Sequence, residues 1–198
     1  MDSSGSIGFN NWGTVLQFVA NISSQFTIGP NNVQVAFVLF SSTATVEWGL
    51  TRYSDKARLV QAILSVRYLE DQTNLNDGLY LTRTEVFAAG RGTRPGALKV
   101  TIILTDGEDN VPNLGTMLTI QNATECKEDG IRLIAVGVSG RVNEQRLRQI
   151  VSDPLRDFYA VNDFVALRSV VDQLRPEICR SASAPVPSIR SYSACSVW

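Results

Sequence analysis

The chain has 198 residues, 44% of them apolar and 19% charged, and its formal net charge is −1. This length and composition allow one domain with a sizeable core, and the near-neutral charge provides no general attraction for nucleic acid or anionic lipid. No apolar run approaches the roughly 20 residues of a membrane span. The sequence has no histidine, which excludes Ser-His-Asp and Cys-His catalytic pairs and leaves oxygen atoms, or a few scattered thiols, as metal ligands.

The first half of the chain predicts a helix, a strand hairpin and two further helices. Apolar residues three or four positions apart predict the helices, and short β-rich runs beside turn-forming residues predict the strands. The predicted elements are a helix over 12–26, strands over 33–40 and 43–48, a helix capped by Ser54 and ending near Val66, and a helix over 75–89.

The second half alternates strands with helices. The run Val100–Leu104 is almost entirely apolar, which is typical of a parallel strand buried on both faces. The other predicted elements are strands over 133–138 and 158–161, and helices over 113–129, 143–151 and from Asp163 to Ile178. This alternation predicts an α/β fold, with a doubly wound and mostly parallel central sheet flanked by helices.

Past Cys179 the composition changes. The segment Ser181–Trp198 is rich in Ser, Ala and Pro and has no hydrophobic periodicity. We therefore expect one domain over residues 1–179, followed by a tail or linker over residues 180–198 that lies outside the fold.

Five oxygen-bearing side chains fall where a parallel sheet gathers its ligands, beyond the carboxyl ends of the strands. They are Asp2, Ser4 and Ser6 before the first helix, Thr73 in a polar loop, and Asp106 after the most apolar strand. Each alone has a simpler explanation as a helix cap or turn residue. Together they offer two carboxylates and three hydroxyls, a set that suits a hard divalent cation such as Mg²⁺.

These motifs resemble the von Willebrand factor A domain, also called the integrin I-domain fold, from Asp2 to about Cys179. The resemblance rests on the ordered motifs Asp2-x-Ser4-x-Ser6, Thr73 and Thr105-Asp106-Gly107. In that family they form the metal-ion-dependent adhesion site. The resemblance therefore implies a site for Mg²⁺, or for Mn²⁺ or Ca²⁺, held by Asp2, Ser4, Ser6, Thr73 and Asp106.

Two features depart from the family pattern. The family has a Gly-rich stretch before the threonine, where this chain has Glu70-Asp71-Gln72. The family also has a central strand before its Asp-x-Ser-x-Ser motif, whereas this sequence begins at that motif. We therefore expect an N-terminally truncated domain that lacks its first strand.

The resemblance implies a divalent-cation-dependent binding module without enzymatic activity. A carboxylate from a protein partner would fill the open coordination position, and the partner would be an extracellular-matrix protein of the collagen type or similar. Such a domain would be secreted as part of a longer parent, without nucleic-acid binding or membrane insertion. The alternatives are a structural interaction domain with an unused metal site and a magnesium-dependent hydrolase.

Cysteines and glycosylation patterns bear on the expected extracellular origin. The resemblance implies that Cys179 pairs with a cysteine upstream of the first strand, with a Cys179–Cys195 bond as the alternative. Cys126 is expected to be an ordinary, partly buried thiol. Asn21 and Asn122 match the N-glycosylation pattern, and Asn21 near the end of a helix is the more suitable acceptor.

Overall fold

A computed structural model describes residues 1–106, 115–138, 142–178 and 195–197. The α-helices within these ranges are α1 (Phe9–Ser24), α2 (Lys56–Leu64), α3 (Leu75–Leu81), α4 (Gly115–Glu128), α5 (Glu144–Ile150) and α6 (Arg168–Ile178). The strands are β1 (Gln34–Val35), β2 (Phe37–Phe40), β3 (Ala44–Trp48), β4 (Leu98–Thr105), β5 (Ile131–Val138), β6 (Phe158–Val161) and β7 (Cys195–Val197). None of the described helices combines the length and apolarity needed to cross a bilayer.

The strands form a parallel sheet and an antiparallel hairpin. The sheet has the order β1-β7-β4-β5-β6, and all of its neighbouring strands run parallel. Strand β2 continues β1 after Ala36 and pairs antiparallel with β3, as the predicted hairpin requires. The longest register joins β4 to β5, from Lys99 opposite Ile131 to Thr105 opposite Gly137. The predicted α/β fold with a mostly parallel central sheet is confirmed.

Each face of the sheet packs against three helices. Helices α1, α2 and α6 cover one face, and α3, α4 and α5 cover the other. Successive residues of β4 alternate between the two cores, with Ile102 and Leu104 in the first and Ile103 in the second. This alternation is the two-residue period of a strand, and it explains why the run is apolar on both sides.

The central position of the sheet, between β2 and the upper part of β4, is filled by the first residues of the chain. The Met1 amine donates to the Val38 carbonyl at 3.1 Å, and the Phe40 N–H donates to the Met1 carbonyl at 2.9 Å. On the other side, the Asp2 N–H donates to the Leu104 carbonyl at 2.9 Å. Both neighbouring strands therefore fix the position of the Asp2 backbone.

The lower part of the same position is filled by β7. This strand pairs with β1 on one side and with Leu98–Val100 of β4 on the other. We expected residues 180–198 to lie outside the fold, but the structure places Cys195–Val197 in the sheet. Two parallel strands with free backbone groups between them can pair with any extended segment, whatever its side-chain periodicity. The rest of that segment lies outside the described residues, and the boundary at residue 179 stays a prediction.

The predicted caps Ser54 and Asp163 do not cap helices α2 and α6. Helix α2 is capped by Asp55, whose side chain accepts the Arg58 N–H at 2.9 Å, and not by Ser54. Serine and aspartate are both good N-cap residues. In this helix the Asp55 carboxylate accepts the N–H of the third helical residue. Asp163 accepts the Ala166 N–H at 2.8 Å in a turn, and α6 itself begins only at Arg168.

The helix predicted over 75–89 changes geometry partway. Helix α3 ends at Leu81, and the chain continues as a π-helical turn over Thr82–Val86. Gly78 brings α3 close to the sheet, since a Cβ there would lie 3.0 Å from Cδ1 of Phe40. The missing side chain thus lets the helix pack directly against β2.

Candidate metal centre

The Asp2–Ser6 stretch is held at the carboxyl end of the sheet by backbone hydrogen bonds. The Ser3 N–H donates to the Phe40 carbonyl at 2.8 Å, and the Ser3 carbonyl accepts the Glu70 N–H at 3.0 Å. The Gly5 N–H donates to the Asp71 carbonyl at 2.8 Å. Three separate parts of the chain thus position this turn before α1 begins.

A chain of side-chain contacts joins four of the five predicted ligands. The Ser6 hydroxyl donates to Oδ1 of Asp106 at 2.8 Å, which links residues 100 positions apart in the sequence. The Ser4 and Ser6 hydroxyl oxygens lie 3.0 Å apart. Oδ1 of Asp2 accepts the Ser4 N–H at 2.9 Å. The sequence motifs at Asp2-Ser4-Ser6 and Asp106 therefore meet in one cluster.

Thr73 lies in a loop that packs beside this cluster. The loop pairs with the turn through the Ser4–Asp71 bridge, and the Gln72 carbonyl accepts the Ser41 hydroxyl at 3.1 Å. The Thr73 side chain itself is buried, with 2% of the residue exposed. The structure thus brings the Thr73 loop to the same edge of the sheet. The assignment of all five residues as metal ligands stays a prediction.

One side of the cluster is buried in the protein, and the other side faces solvent. Asp2 is fully buried and Asp106 is 5% exposed, whereas Ser6 lies at the surface. Burial raises the pKa of the Asp2 carboxyl, and hydrogen bonds from Thr105 and Ser4 oppose that rise. Asp2 forms no ion pair with a lysine or arginine in the part of the chain that the structure describes. A cation bound here would supply the missing positive charge.

The donor chemistry fits a hard divalent cation. Every candidate donor is an oxygen atom, and only two of the five are carboxylates. In the described ranges no three or more His, Cys, Asp or Glu side chains are grouped to hold a metal, so the site depends on hydroxyl groups. Mg²⁺ commonly uses one or two carboxylates and completes its shell with neutral oxygens and water.

Three residues that support the cluster were not predicted from the sequence. The Thr105 hydroxyl donates to Oδ2 of Asp2 at 2.6 Å. The Tyr68 hydroxyl donates to the Ser4 carbonyl at 2.8 Å. The Ser3 hydroxyl oxygen accepts the Leu69 N–H at 2.8 Å. Only Thr105 had a signal in the sequence, since it precedes Asp106 at the end of the apolar strand.

The acidic stretch before Thr73 adopts a backbone that glycine favours. Glu70 has a φ of 59°, in the left-handed region that few non-glycine residues adopt. Glu70 and Asp71 are exposed, and the Asp71 carboxylate accepts the Gln72 N–H at 2.8 Å. The two charges therefore lie at the rim of the cluster, where an incoming partner would meet them.

The remaining candidates from the sequence take no part in this centre. Cys126 is buried and its thiol donates to the Leu79 carbonyl at 3.6 Å. Burial raises the pKa of this thiol to about 12, so it stays protonated and unreactive near neutral pH. Asn122 is 9% exposed, and its amide donates to Oδ1 of Asn76 at 2.6 Å, which leaves Asn21 as the accessible glycosylation pattern. Cys179 and the side chain of Cys195 lie outside the described part.

The fold and the cluster define a class of protein, an α/β domain with a hydroxyl-rich site at the carboxyl edge of its sheet. A family model for the von Willebrand factor type A domain matches residues 1–173. The chain belongs to this family.

Relatives and solved structures agree with this assignment. The chain is 31% identical over 188 residues to the collagen alpha-1(XII) chain of Notophthalmus viridescens, covering 93% of this chain and 19% of that one. It is 34% identical to human matrilin-4, covering 90% of this chain and 28% of the relative. It thus spans less than a third of the length of either protein.

Among solved structures, proximal thread matrix protein 1 from the mussel byssus, with a zinc-occupied MIDAS motif, superposes with a TM-score of 0.78. Its sequence is 30% identical, and the match covers 88% of this chain and 43% of that one. The manganese-loaded TRAP protein of Plasmodium vivax, at 21% identity and a TM-score of 0.71, supports the fold alone.

Proposed function

We propose that this chain is a protein-binding module that depends on a divalent cation. The observation that carries the proposal is the contact between the Ser6 hydroxyl and the Asp106 carboxylate at 2.8 Å. It brings two of the sequence motifs together beside the buried carboxylate of Asp2. A buried carboxylate without a cationic partner is costly to the folded state, and a bound cation would offset that cost.

The cation would be held by Asp2, Ser4, Ser6, Thr73 and Asp106, with Mg²⁺ as the first candidate and Mn²⁺ or Ca²⁺ as alternatives. The three hydroxyls would bind the cation directly and Asp2 and Asp106 would act partly through water, so the cation would stay electrophilic. Bound in this way, it would offer a coordination position to a carboxylate of a protein partner. The exposed Ser6 lies on the side from which such a carboxylate would approach.

We infer an extracellular-matrix partner, of the collagen type or similar, and a secreted location within a longer parent. The support is the similarity to a collagen chain and a matrilin, and to a matrix protein that carries a zinc-occupied MIDAS motif. We infer no nucleic-acid binding, since the chain has no net positive charge, and no membrane insertion, since no apolar run approaches the roughly 20 residues of a span. An enzymatic role is disfavoured because the chain has no histidine to act as a general base.

Metal titration tests the first half of the proposal. Mg²⁺ and Mn²⁺ should each raise the thermal midpoint, and at 100 times the dissociation constant the stabilisation should be about 2.7 kcal/mol. Asp106→Ala should abolish this stabilisation. Asp172→Ala, which removes an exposed carboxylate of α6, is the matched control and should leave it unchanged. If calorimetry detects no heat with either metal, the domain is a structural one with an unused site.

Partner binding tests the second half. Immobilised triple-helical collagen should retain the protein in the presence of Mg²⁺ and release it when EDTA is added. Asp106→Ala should fail to bind under either condition, and Asp172→Ala should bind like the parent. Retention that survives both EDTA and Asp106→Ala would refute the metal-dependent mechanism. Metal binding without retention would refute only the collagen-type partner.

A further inference from the structure

Three segments of the chain meet at the amino-terminal edge of the sheet, opposite the metal centre. Residues 24–33 lead into β1, and residues 90–97 lead into β4. Because β1 and β4 both belong to the parallel sheet, their first residues lie at the same edge. Residues 49–58 follow β3, which runs antiparallel to β2 and therefore ends at this edge too. We call the surface formed by these three segments the amino-edge surface.

Side-chain contacts hold the segments of this surface together. The Arg94 guanidinium donates from Nη1 to the Pro30 carbonyl at 2.9 Å and from Nη2 to the Asn32 carbonyl at 2.5 Å. Gly92 lies so close to Thr51 that a Cβ at this glycine would be 2.6 Å from Cγ2 of the threonine. The three segments therefore form one continuous surface.

The charges on the amino-edge surface are almost all positive. Its three segments contain five cationic side chains and a single carboxylate, that of Asp55. Arg91 is paired with Glu85 at 2.8 Å. The other four cations have no carboxylate partner in the part of the chain that the structure describes, and they are Arg52, Lys56, Arg58 and Arg94.

The partners of these cations leave their charge uncompensated. Lys56 donates from Nζ to the Ser24 carbonyl at 2.7 Å, and Arg94 is held by two carbonyls as described above. Such neutral partners fix a side chain without cancelling its charge. Arg52 lies over the Tyr53 ring, at 5.6 Å from its centroid, and Arg58 is exposed. The surface therefore presents concentrated positive charge to solvent.

The opposite edge of the sheet carries the opposite charge. The described residues there include four carboxylates, two in the metal centre and two at its rim, namely Asp2, Asp106, Glu70 and Asp71. The net charge of −1 does not show this separation between the two edges. An anionic polymer would be attracted to the amino edge and, in the absence of metal, repelled from the carboxyl edge.

The chemistry of the amino-edge surface favours one class of partner. None of the large, exposed apolar side chains of the described residues lies in its three segments, whereas a protein interface ordinarily has an apolar centre. Tyr53 is only partly exposed beneath Arg52, so it offers a poor platform for stacking a nucleotide base. Neutral hydrogen-bonding groups such as Asn31 and Thr93 lie among the cations. The surface therefore fits a polymer that presents anions and hydroxyl groups.

We propose that the amino-edge surface binds a sulfated polysaccharide through Arg52, Lys56, Arg58 and Arg94. Each contact between an exposed cation and a sulfate group is weak, but a linear polyanion contacts several cations at once and releases its counterions. The surface is separate from the metal centre, so this binding needs no divalent cation. It therefore stands or falls independently of the metal-dependent function proposed above.

Binding of the full chain to heparin, in EDTA and about 0.1 M salt, tests the proposal. The double variant Arg52→Ala/Arg58→Ala should bind at least about tenfold more weakly, because an arginine beside a densely anionic surface contributes roughly fivefold. The matched control is Arg67→Ala/Arg168→Ala, which removes the same charge from two exposed positions outside the three segments and should bind like the parent. Absence of binding by the parent chain, or an equal loss in both double variants, would overturn the proposal.

A folding control and three competitors complete the test. Within the described residues the side chains of Arg52 and Arg58 form no hydrogen bond or ion pair, so the thermal midpoint of their double variant should match that of the parent. Soluble heparin should displace the bound protein, whereas desulfated heparin, polyglutamate and phosphatidylserine vesicles at equal charge should displace it poorly. Equal displacement by polyglutamate would indicate an acidic peptide as the partner, equal displacement by vesicles a membrane surface, and either result would refute the polysaccharide.

Discussion

Two buried carboxylates of this molecule, Asp157 and Asp2, have partners of different charge. Asp157 is 1% exposed and accepts from Nη2 of Arg132 at 2.5 Å and from Nε of Arg132 at 3.1 Å. Asp2 is fully buried, and its partners are the Ser4 N–H and the Thr105 hydroxyl. The first carboxylate thus has a cation supplied by the chain, whereas these two partners of the second are neutral.

The nearby chain terminus does not change this contrast. Burial lowers the pKa of the Met1 amine to about 5, which weakens this amine as a counter-charge for Asp2. A buried carboxylate without a cation is costly to the folded state. Asp157 therefore has a cationic partner within the chain, whereas Asp2 has no lysine or arginine partner among the described residues, and the proposed metal would supply that charge.

The largest expected effect is the loss of stability when the ion pair between Arg132 and Asp157 is broken. Asp157→Asn should destabilise the protein by about 3 kcal/mol, because it leaves the Arg132 guanidinium largely buried without its counter-ion. Urea denaturation measures the change, and Mg²⁺ should not alter its size. Replacing both partners, in Arg132→Met with Asp157→Leu, should recover most of the loss. A double variant as unstable as Asp157→Asn would show that packing, not the unpaired charge, causes the defect.

The next largest effect is expected at Asp2. Unlike the effect at Asp157, it should depend on whether metal is present. Asp2→Asn removes a buried charge and keeps an oxygen that can accept the Ser4 N–H, so the metal-free protein should be at least as stable as the parent. The variant should lose the metal-dependent stabilisation of about 2.7 kcal/mol expected at 100 times the dissociation constant. Thermal denaturation with and without Mg²⁺ measures both. A large loss of stability without metal would contradict the comparison and make Asp2 a structural residue.

A smaller effect is expected from a residue that orients the cluster without belonging to it. Tyr68→Phe removes the hydroxyl that donates to the Ser4 carbonyl and accepts the Gly8 N–H at 2.9 Å. The ring contact with Trp12, at 5.2 Å between centroids, should persist. Metal affinity should fall about tenfold, or 1.4 kcal/mol, as for other supporting residues of metal sites. Tyr80→Phe, at a half-exposed position, is the control. An equal loss of metal affinity in that variant would show that the Tyr68 hydroxyl does not position the cluster.

The residues that the sequence identified share one property. Asp106 follows a predicted strand and Asp2, Ser4 and Ser6 precede the first helix, and both places lie at the carboxyl edge of a parallel α/β sheet. The periodicity that predicts the strand before Asp106 and the helix after Ser6 therefore also predicts where these residues meet. Thr73 could be placed near them only through the family resemblance, because a threonine in a polar loop has no distinguishing pattern.

The features that the sequence missed depend on contacts far apart in the chain. Tyr68 supports Ser4 across 64 positions, and no spacing rule links a loop tyrosine to a carbonyl in another turn. Strand β7 pairs with β1 and β4 through backbone hydrogen bonds, which side-chain periodicity in residues 180–198 does not indicate. The π-helical turn after α3 likewise has no signal in the local sequence, and Val86 within it is buried in the core.

The smallest expected effect concerns an ion pair at the surface. It tests whether burial of the charges or their pairing causes the difference between Asp157 and Asp2. Arg91 and Glu85 lie 2.8 Å apart, but their side chains are 59% and 44% exposed. Glu85→Gln should change the free energy of unfolding by less than about 0.5 kcal/mol, because water and salt screen such a pair. Urea denaturation beside Asp157→Asn measures the difference. A loss at Glu85 similar to that at Asp157 would mean that pairing itself governs stability, and the cation-free burial of Asp2 would then lose its significance.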